Sequence, residues 1–443
     1  MEENKKYGLF TSITMIIGIV IGSGIFFKTD DVLAYTNGNV VLGVLIFCIA
    51  AISIIFGSLS ISQLATRTDK PGGVISYAEE FINKETASAF GWFQLFLYLP
   101  TTIAVVAWVA GIYICQLFNI QEGILNPYTI GLIVIISIYS LNTLSAKFGG
   151  LFQNVAMIIK VIPLILFAIF GLIKGDPQPI LSSDIESLKT AGIGMGIMAA
   201  FAPIAFAFDG WIISTSICHE IKNSKRNLPI ALIISPIAIL IAYVLYFVGV
   251  SVFVGPQNVL ELGNNSVNQM ANTLLGPTGA KIILIFVIVS VLGTVNGVSL
   301  AMIRIPYSLA LRNMLPGSKT LSKESEKLNG MPLNSAIFSF VVTLVWFAIH
   351  YLTQNMQMKG DVSEIAICIS YLNYAVLYCV IIKLAKKGEI KNKIMGYFVP
   401  LMAILGSAII LIGGATNPSF PYYLAVCLAV MAFGYFFYKK LNK

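Results

Sequence analysis

Long apolar runs, separated by short stretches that carry most of the charge, set the pattern of this chain. Glu85 to Glu122, Arg226 to Glu261, Lys327 to Lys359 and Lys393 to Lys439 each bracket a stretch with no Asp, Glu, Lys or Arg inside it. A helix needs about 20 apolar residues to cross the hydrocarbon core of a bilayer, and these runs have room for it. The pattern predicts twelve spans, at 9–36, 40–65, 88–118, 126–147, 149–173, 190–221, 228–254, 279–312, 332–352, 361–384, 394–414 and 420–439. Nothing is left over for a soluble domain, so residues 1–443 read as one all-α integral membrane domain. The longest polar insertions, Gln257 to Ala280 and Leu315 to Met331, are expected to be loops or short surface helices.

Two spans are not ordinary. The first carries Gly22-Ser23-Gly24 at its middle and the sixth carries Asp209-Gly210. Glycine loosens a helix and removes side-chain bulk, yet lipid forbids unpaired N–H and C=O groups, so such breaks belong inside the protein or facing a cavity. A lone Gly-Ser-Gly also serves close helix packing. The matched placement of the two breaks, each in the first helix of a five-helix half, favours a binding site instead. On that placement the chain divides into two inverted repeats, about 9–173 and 190–384, followed by two more helices at 394–439.

A broken helix offers two kinds of backbone end. Its second half opens with N–H groups and partial positive charge, which suit a carboxylate. Its first half closes with free carbonyls, which suit an ammonium or a cation. Two facing breaks present both ends to one ligand, and a zwitterionic α-amino acid needs that pairing.

Composition agrees with a lipid-solvated chain: 57% of residues are hydrophobic and 11% charged, a balance that would expose large apolar patches in water. The first apolar stretch lacks a clear small-residue cleavage pattern and is read as the first span rather than a removable signal. All six cysteines (Cys48, Cys115, Cys218, Cys368, Cys379 and Cys427) fall within expected spans, so packing rather than a disulfide framework accounts for them. The net charge of +8 does not call for nucleic acid. With the N-terminus in the cytoplasm most Lys and Arg fall on cytoplasmic ends and loops, which orients a multi-pass protein with both termini inside.

Enzyme chemistry finds no support. The two histidines, His219 and His350, are far apart in sequence, and there is no P-loop, paired-cysteine metal motif or dinucleotide fingerprint. No cofactor and no metal are expected. A channel also uses interrupted helices, but two breaks in one pseudo-symmetric chain without a repeated pore loop fit alternating access better.

The segments GIVIGSGIFF (Gly18 to Phe27), LNTLSAKFGGLFQNVAMIIKVIPL (Leu141 to Leu164), FAFDGWIISTSICHEIKNSKRNLPIAL (Phe206 to Leu232) and VSVLGTVNG (Val289 to Gly297) occur in that order. Together they resemble the L-amino-acid transporter branch of the amino acid, polyamine and organocation superfamily, and within it bacterial alanine-serine-cysteine exchangers. The resemblance covers most of Gly8 to Ala385. It implies five plus five inverted helices and two more, alternating access, and sodium-independent exchange of small neutral L-amino acids across the plasma membrane. Proton-coupled uptake is the alternative that sequence separates poorly from exchange.

Carried onto this chain, the resemblance implies that Gly22, Ser23, Gly24 and Ile25 offer donors to the substrate carboxylate. Carbonyls near Val20, Phe206, Ala207 and Asp209, beside Gly210, then receive the amine, with Phe206 at the family's aromatic gate position. Asp209 sits where many relatives have a small residue. It has three open readings: assisting the amine, pairing with Lys160, or capping the second half of helix six, of which capping is the plainest. His219 replaces an acid usual beside Glu220 and reads as a solvated residue at a helix end. Animal members often join a glycoprotein subunit through a cysteine in the outer loop between helices three and four. The corresponding loop here, around Phe118 to Pro127, has none, so no covalent heavy-chain partner is expected.

Lys160 lies about eleven residues, roughly 17 Å, from the start of its helix, too deep for its side chain to reach either interface. It must find acceptors, lose its proton or face a hydrated cavity. The resemblance implies that its ammonium stands where sodium-coupled proteins of this architecture hold a cation. Carbonyls near Gly18 and the hydroxyl of Ser290 are the expected acceptors, with Tyr243 in the same network.

Overall fold

The computed structural model describes residues 8–22, 24–68, 72–120, 123–145, 152, 155–156, 158–178, 180, 195–212, 221–328, 330–358 and 361–441. Among them the regular structure is helical, apart from a bridge position at Ile221 and an isolated antiparallel bridge between Ser325 and Met331. The first span is interrupted as α1 (Leu9–Val20), α2 (Gly24–Phe27) and α3 (Thr29–Tyr35). It is followed by α4 (Val40–Ala65), the short connecting α5 (Val74–Phe81), α6 (Lys84–Phe118), α7 (Pro127–Leu144) and α8 (Val161–Lys174). The sixth span contains α9 (Met195–Ala199) and α10 (Phe201–Ala207). Then come α11 (Ser224–Val254), α12 (Pro256–Leu262), α13 (Ser266–Leu311), α14 (Leu333–Asn355), α15 (Val362–Lys386), α16 (Ile394–Ala415) and α17 (Phe420–Leu441).

Nine of these helices are long and apolar enough to cross a membrane. Shorter apolar helices, α1, α8 and the α9–α10 pair, stand where spans one, five and six are expected. The polar insertion before span eight is α12 and the first turns of α13, which break at Gly276 (φ 71°, ψ 177°) ahead of Pro277.

Prolines inside the spans show how lipid-solvated backbone is kept paired. Pro100 follows a single π-helical turn at Gln94–Tyr98 within α6. Proline has no N–H for the carbonyl four residues back, and that group, Phe96 O, instead accepts from Trp346 Nε1 at 2.5 Å. Pro236 in α11 likewise leaves Leu232 O to Ser58 Oγ at 3.1 Å. At Pro306 in α13, Ser335 Oγ accepts from Tyr307 N–H at 2.9 Å and donates to Ile303 O at 2.5 Å. Because lipid supplies no substitute partner, each kink is tied to a neighbouring span.

Small residues bring other spans together. Gly171 of α8 faces Gly249 of α11 so closely that a Cβ on Gly171 would sit 2.3 Å from Gly249 O, the close approach that membrane helices use in place of a hydrophobic drive. Large apolar side chains such as Ile169, Ile241, Leu405 and Phe433 remain exposed on the surface, where lipid is their solvent. The protein is a multi-pass membrane protein. Cys115, Cys368 and Cys427 are buried, but Cys379 is exposed on α15, so packing does not account for that one; Cys218 lies outside the described residues.

Candidate functional site

The breaks in the first and sixth spans meet in the buried interior. α1 ends at Val20, and Ile21 leaves helical geometry with φ −66° and ψ 101°. Helix resumes at Gly24 and bends at Lys28 before continuing to Tyr35. In the sixth span the chain is helical to Ala207 and then turns at 208–210, where Gly210 takes φ 97°, a conformation that strains any side chain. The residues at 213–220 lie outside the described residues, and with them His219. A Cβ built on Gly24 would stand 2.7 Å from Ala207 Cα and 3.1 Å from Phe206 Cδ1. The two broken segments are therefore in backbone contact, which only glycine at 24 permits.

A cavity of about 280 Å³ opens beside that contact. Val20, Gly22, Gly24, Phe206, Ala207, Asp209, Gly210 and Lys160 all line it. Ile25 is buried and lies outside the lining. Ser23 is outside the described residues. Tyr243 of α11 stands behind the wall, where its hydroxyl lies 3.2 Å from Val20 O and 2.9 Å from Ala207 O and shares its one proton between them. One phenol thus pins the carbonyl ends of both first halves at a fixed separation. A carbonyl oxygen has two lone pairs, so each retains acceptor capacity toward the cavity.

Lys160 is buried, and its Nζ donates to Gly18 O, a carbonyl near the end of α1. Ser290 is also buried, but its hydroxyl has no hydrogen-bond partner among the described residues. The expected Ser290 contact to the ammonium is absent here. The carbonyl of Ser290 accepts from Thr294 Oγ1 at 3.3 Å, and Thr294 presses on the first break, since a Cβ on Gly22 would lie 2.6 Å from Thr294 Oγ1.

Asp209 projects into the cavity and is held by Tyr98, whose hydroxyl lies 2.7 Å from Oδ1 and 2.6 Å from Oδ2. Among the described residues no ion pair joins it to Lys160. Tyr98 sits at the end of the π-helical turn that precedes Pro100, and π turns displace a side chain from the register a regular helix would give it. Sequence reasoning missed Tyr98, together with Thr102 and Thr294 of the lining. The signals in the sequence were indirect. Pro100 in mid-span marks an irregular turn, and Thr294 belongs to the VSVLGTVNG segment.

A buried charge cluster next to the cavity was also missed. Lys28 Nζ reaches Asp361 Oδ2 at 2.8 Å, Glu364 Oε1 at 2.5 Å and Asp31 Oδ2 at 3.2 Å. The same ammonium stands 5.5 Å from the centroid of the Phe206 ring, which lines the cavity. Among the described residues no group of three His, Cys, Asp or Glu side chains is arranged to hold a metal.

The sequence profile of the amino acid permease family matches residues 7–436. The chain belongs to this family. The permease is similar to the serine/threonine exchanger SteT of Bacillus subtilis (strain 168), with 30% identity over 93% of this chain and 92% of SteT. It is also similar to the b(0,+)-type amino acid transporter 1 of Mus musculus, with 25% identity over 98% of this chain and 87% of that protein. The crystal structure of MhsT in complex with L-phenylalanine shares the fold, with a TM-score of 0.59 at 14% identity over 92% of this chain and 98% of that one. The resemblance read from the four segments holds, and the permease is a membrane transporter rather than an enzyme.

Proposed function

We propose that the permease exchanges small neutral L-amino acids across the plasma membrane by alternating access, without sodium. The observation that carries this reading is the meeting of two opposed helix breaks on one small cavity. Donors of the first turn after Gly24 take the substrate carboxylate, joined by those of Gly22, Ser23 and Ile25. The carbonyls of Val20, Phe206 and Ala207, together with Asp209, take the amine. The backbone then recognises the part common to all α-amino acids, and the wall grades the side chain. A volume of about 280 Å³ lies just below the range of ligand pockets, about 300 to 1,000 Å³, and suits a small substrate. With Asp209 given to the amine and Lys160 held by Gly18 O, the rest of the wall is uncharged, which favours a neutral substrate side chain.

The Lys160 ammonium takes the place of a coupling cation. It ties α8 to α1, and an ion buried this deeply costs several kcal/mol unless it is held, which gives it a reason to stay with the α1 carbonyls through the cycle. Residues 9–173 and 190–384 act as two inverted repeats, both termini lie in the cytoplasm, and no covalent heavy-chain subunit joins through the loop around Phe118 to Pro127. Competition against labelled alanine tests the substrate class. Serine is expected to displace alanine well and glutamate poorly, and the reverse order contradicts the reading.

A further inference from the structure

The cluster around Lys28 holds more negative charge than one ammonium balances. Asp361 and Glu364 have side chains only 6% and 5% exposed, whereas Asp31 is 43% exposed and is screened by the medium. Asp30, on the same turn, is half-buried and within electrostatic reach of Lys28, but its Oδ2 stands against Gly263. One buried cation therefore faces two buried carboxylates. An uncompensated buried charge costs several kcal/mol, so the closed cluster needs one more positive charge.

Counting donors decides where it sits. Asp361 caps α15, its Oδ1 accepting from Ser363 N–H at 2.8 Å, Glu364 N–H at 3.1 Å and Ser363 Oγ at 2.5 Å, while its Oδ2 accepts from Lys28. Donors on both oxygens hold it ionised. Glu364 receives the Lys28 bond at Oε1 and shares none of that capping set. His350 is fully buried within electrostatic reach of Asp361 and Lys28, and neither ring nitrogen has a hydrogen-bond partner among the described residues. Its ring packs on Trp108 at 4.9 Å, with no acceptor for a second ring proton. The remaining titratable neighbours are Tyr35, Cys368 and Tyr423, and none of them adds a cation.

Position gives the cluster a task. Lys28 follows the break in the first span, Asp361 and Glu364 open α15, and Phe206 beneath the ammonium belongs to the sixth span. The three elements converge over one side of the cavity, and opening that side must pull Lys28 from its partners. We infer that Lys28, Asp361 and Glu364 form the outer gate of the permease, and that Glu364 takes up one proton as the gate closes and returns it to the same side as it opens. The inference rests on the exchange function and orientation proposed above. The closed gate binds one proton more than the open one, so acid on the outer side favours closure, by up to about tenfold per pH unit.

The test is alanine–alanine exchange in proteoliposomes, with the pH varied on one side at a time. Wild-type exchange is expected to slow, up to tenfold per unit, as the side facing Lys28 is acidified. Glu364→Gln, which is permanently neutral, is expected to be slow and flat across the range, and Glu364→Asp to keep a slope. Exchange at neutral pH checks the underlying function in the same vesicles, and intact exchange with no slope from either side overturns the gate alone. A slope only from the side of the chain termini supports the proton site and overturns the orientation. A flattened profile in His350→Gln, with Glu364→Gln like wild type, moves the proton to the imidazole and overturns the assignment. Acidification of the lumen in step with exchange overturns same-side return. Wild type and Glu364→Asp keep the proposal testable if Glu364→Gln does not fold.

Discussion

Placing a side chain at residue 24 probes the heart of the proposed site. A Cβ there meets Ala207 Cα at 2.7 Å and Ala207 N at 3.3 Å, both of them backbone atoms. Ordinary carbon contacts lie at about 3.5–4.0 Å, so the two breaks must part by roughly 1 Å to admit even alanine. Displacing binding groups by 1 Å costs about a hundredfold, or about 2.8 kcal/mol, within the 1–3 kcal/mol that overpacking typically costs. Gly24→Ala is therefore expected to bind alanine about a hundredfold more weakly by calorimetry on purified protein. Gly24→Val, with two further methyl groups in the gap, is expected to show no measurable binding. Gly8→Ala serves as the control, because a Cβ at Gly8 meets nothing within 4 Å. A monodisperse Gly24→Val protein with wild-type alanine affinity would refute the contact between the breaks as the basis of recognition.

Two other substitutions separate the roles of the wall. Tyr98→Phe removes the donor from Asp209 and leaves a carboxylate facing the cavity, at a cost of about 1–3 kcal/mol. Weaker alanine binding with new inhibition by lysine is expected in competition assays, and an unchanged inhibition profile contradicts the part given to this pair. Lys160→Ala frees Gly18 O and removes the tie between α8 and α1. Exchange is expected to fall at least tenfold while membrane insertion and elution profile persist, and full exchange by a well-expressed variant counts against the lysine's role.

Much of this arrangement was legible in the chain, and the rest was hidden for identifiable reasons. Charge-free runs marked the long spans because lipid imposes length and apolarity directly. Gly22, Gly24 and Gly210 marked the breaks because irregular backbone in a membrane needs residues without bulk. Lys160 stood out because a charge at that depth has few permitted environments, and the Gly18 carbonyl is the acceptor it reaches. Tyr98 gave no such signal, since a tyrosine among apolar residues reads as packing until the π turn at Gln94–Tyr98 aims it at Asp209. Lys28, Asp361 and Glu364 each sit near a span end, where charge is ordinary, and 333 residues separate Lys28 from Asp361. Only the fold reveals that the three share one buried cluster. Ser290 is the converse case, a residue that the resemblance singles out and whose buried hydroxyl has no hydrogen-bond partner among the described residues.

The central claim is sodium-independent exchange at the junction of the two breaks, and the most direct measurement is uptake of labelled alanine into proteoliposomes in choline medium. Vesicles preloaded with alanine or serine are expected to accumulate label many times faster than empty ones, at a rate unchanged when choline is replaced by sodium. Equal uptake by loaded and empty vesicles, or uptake that appears only with sodium, would contradict the account.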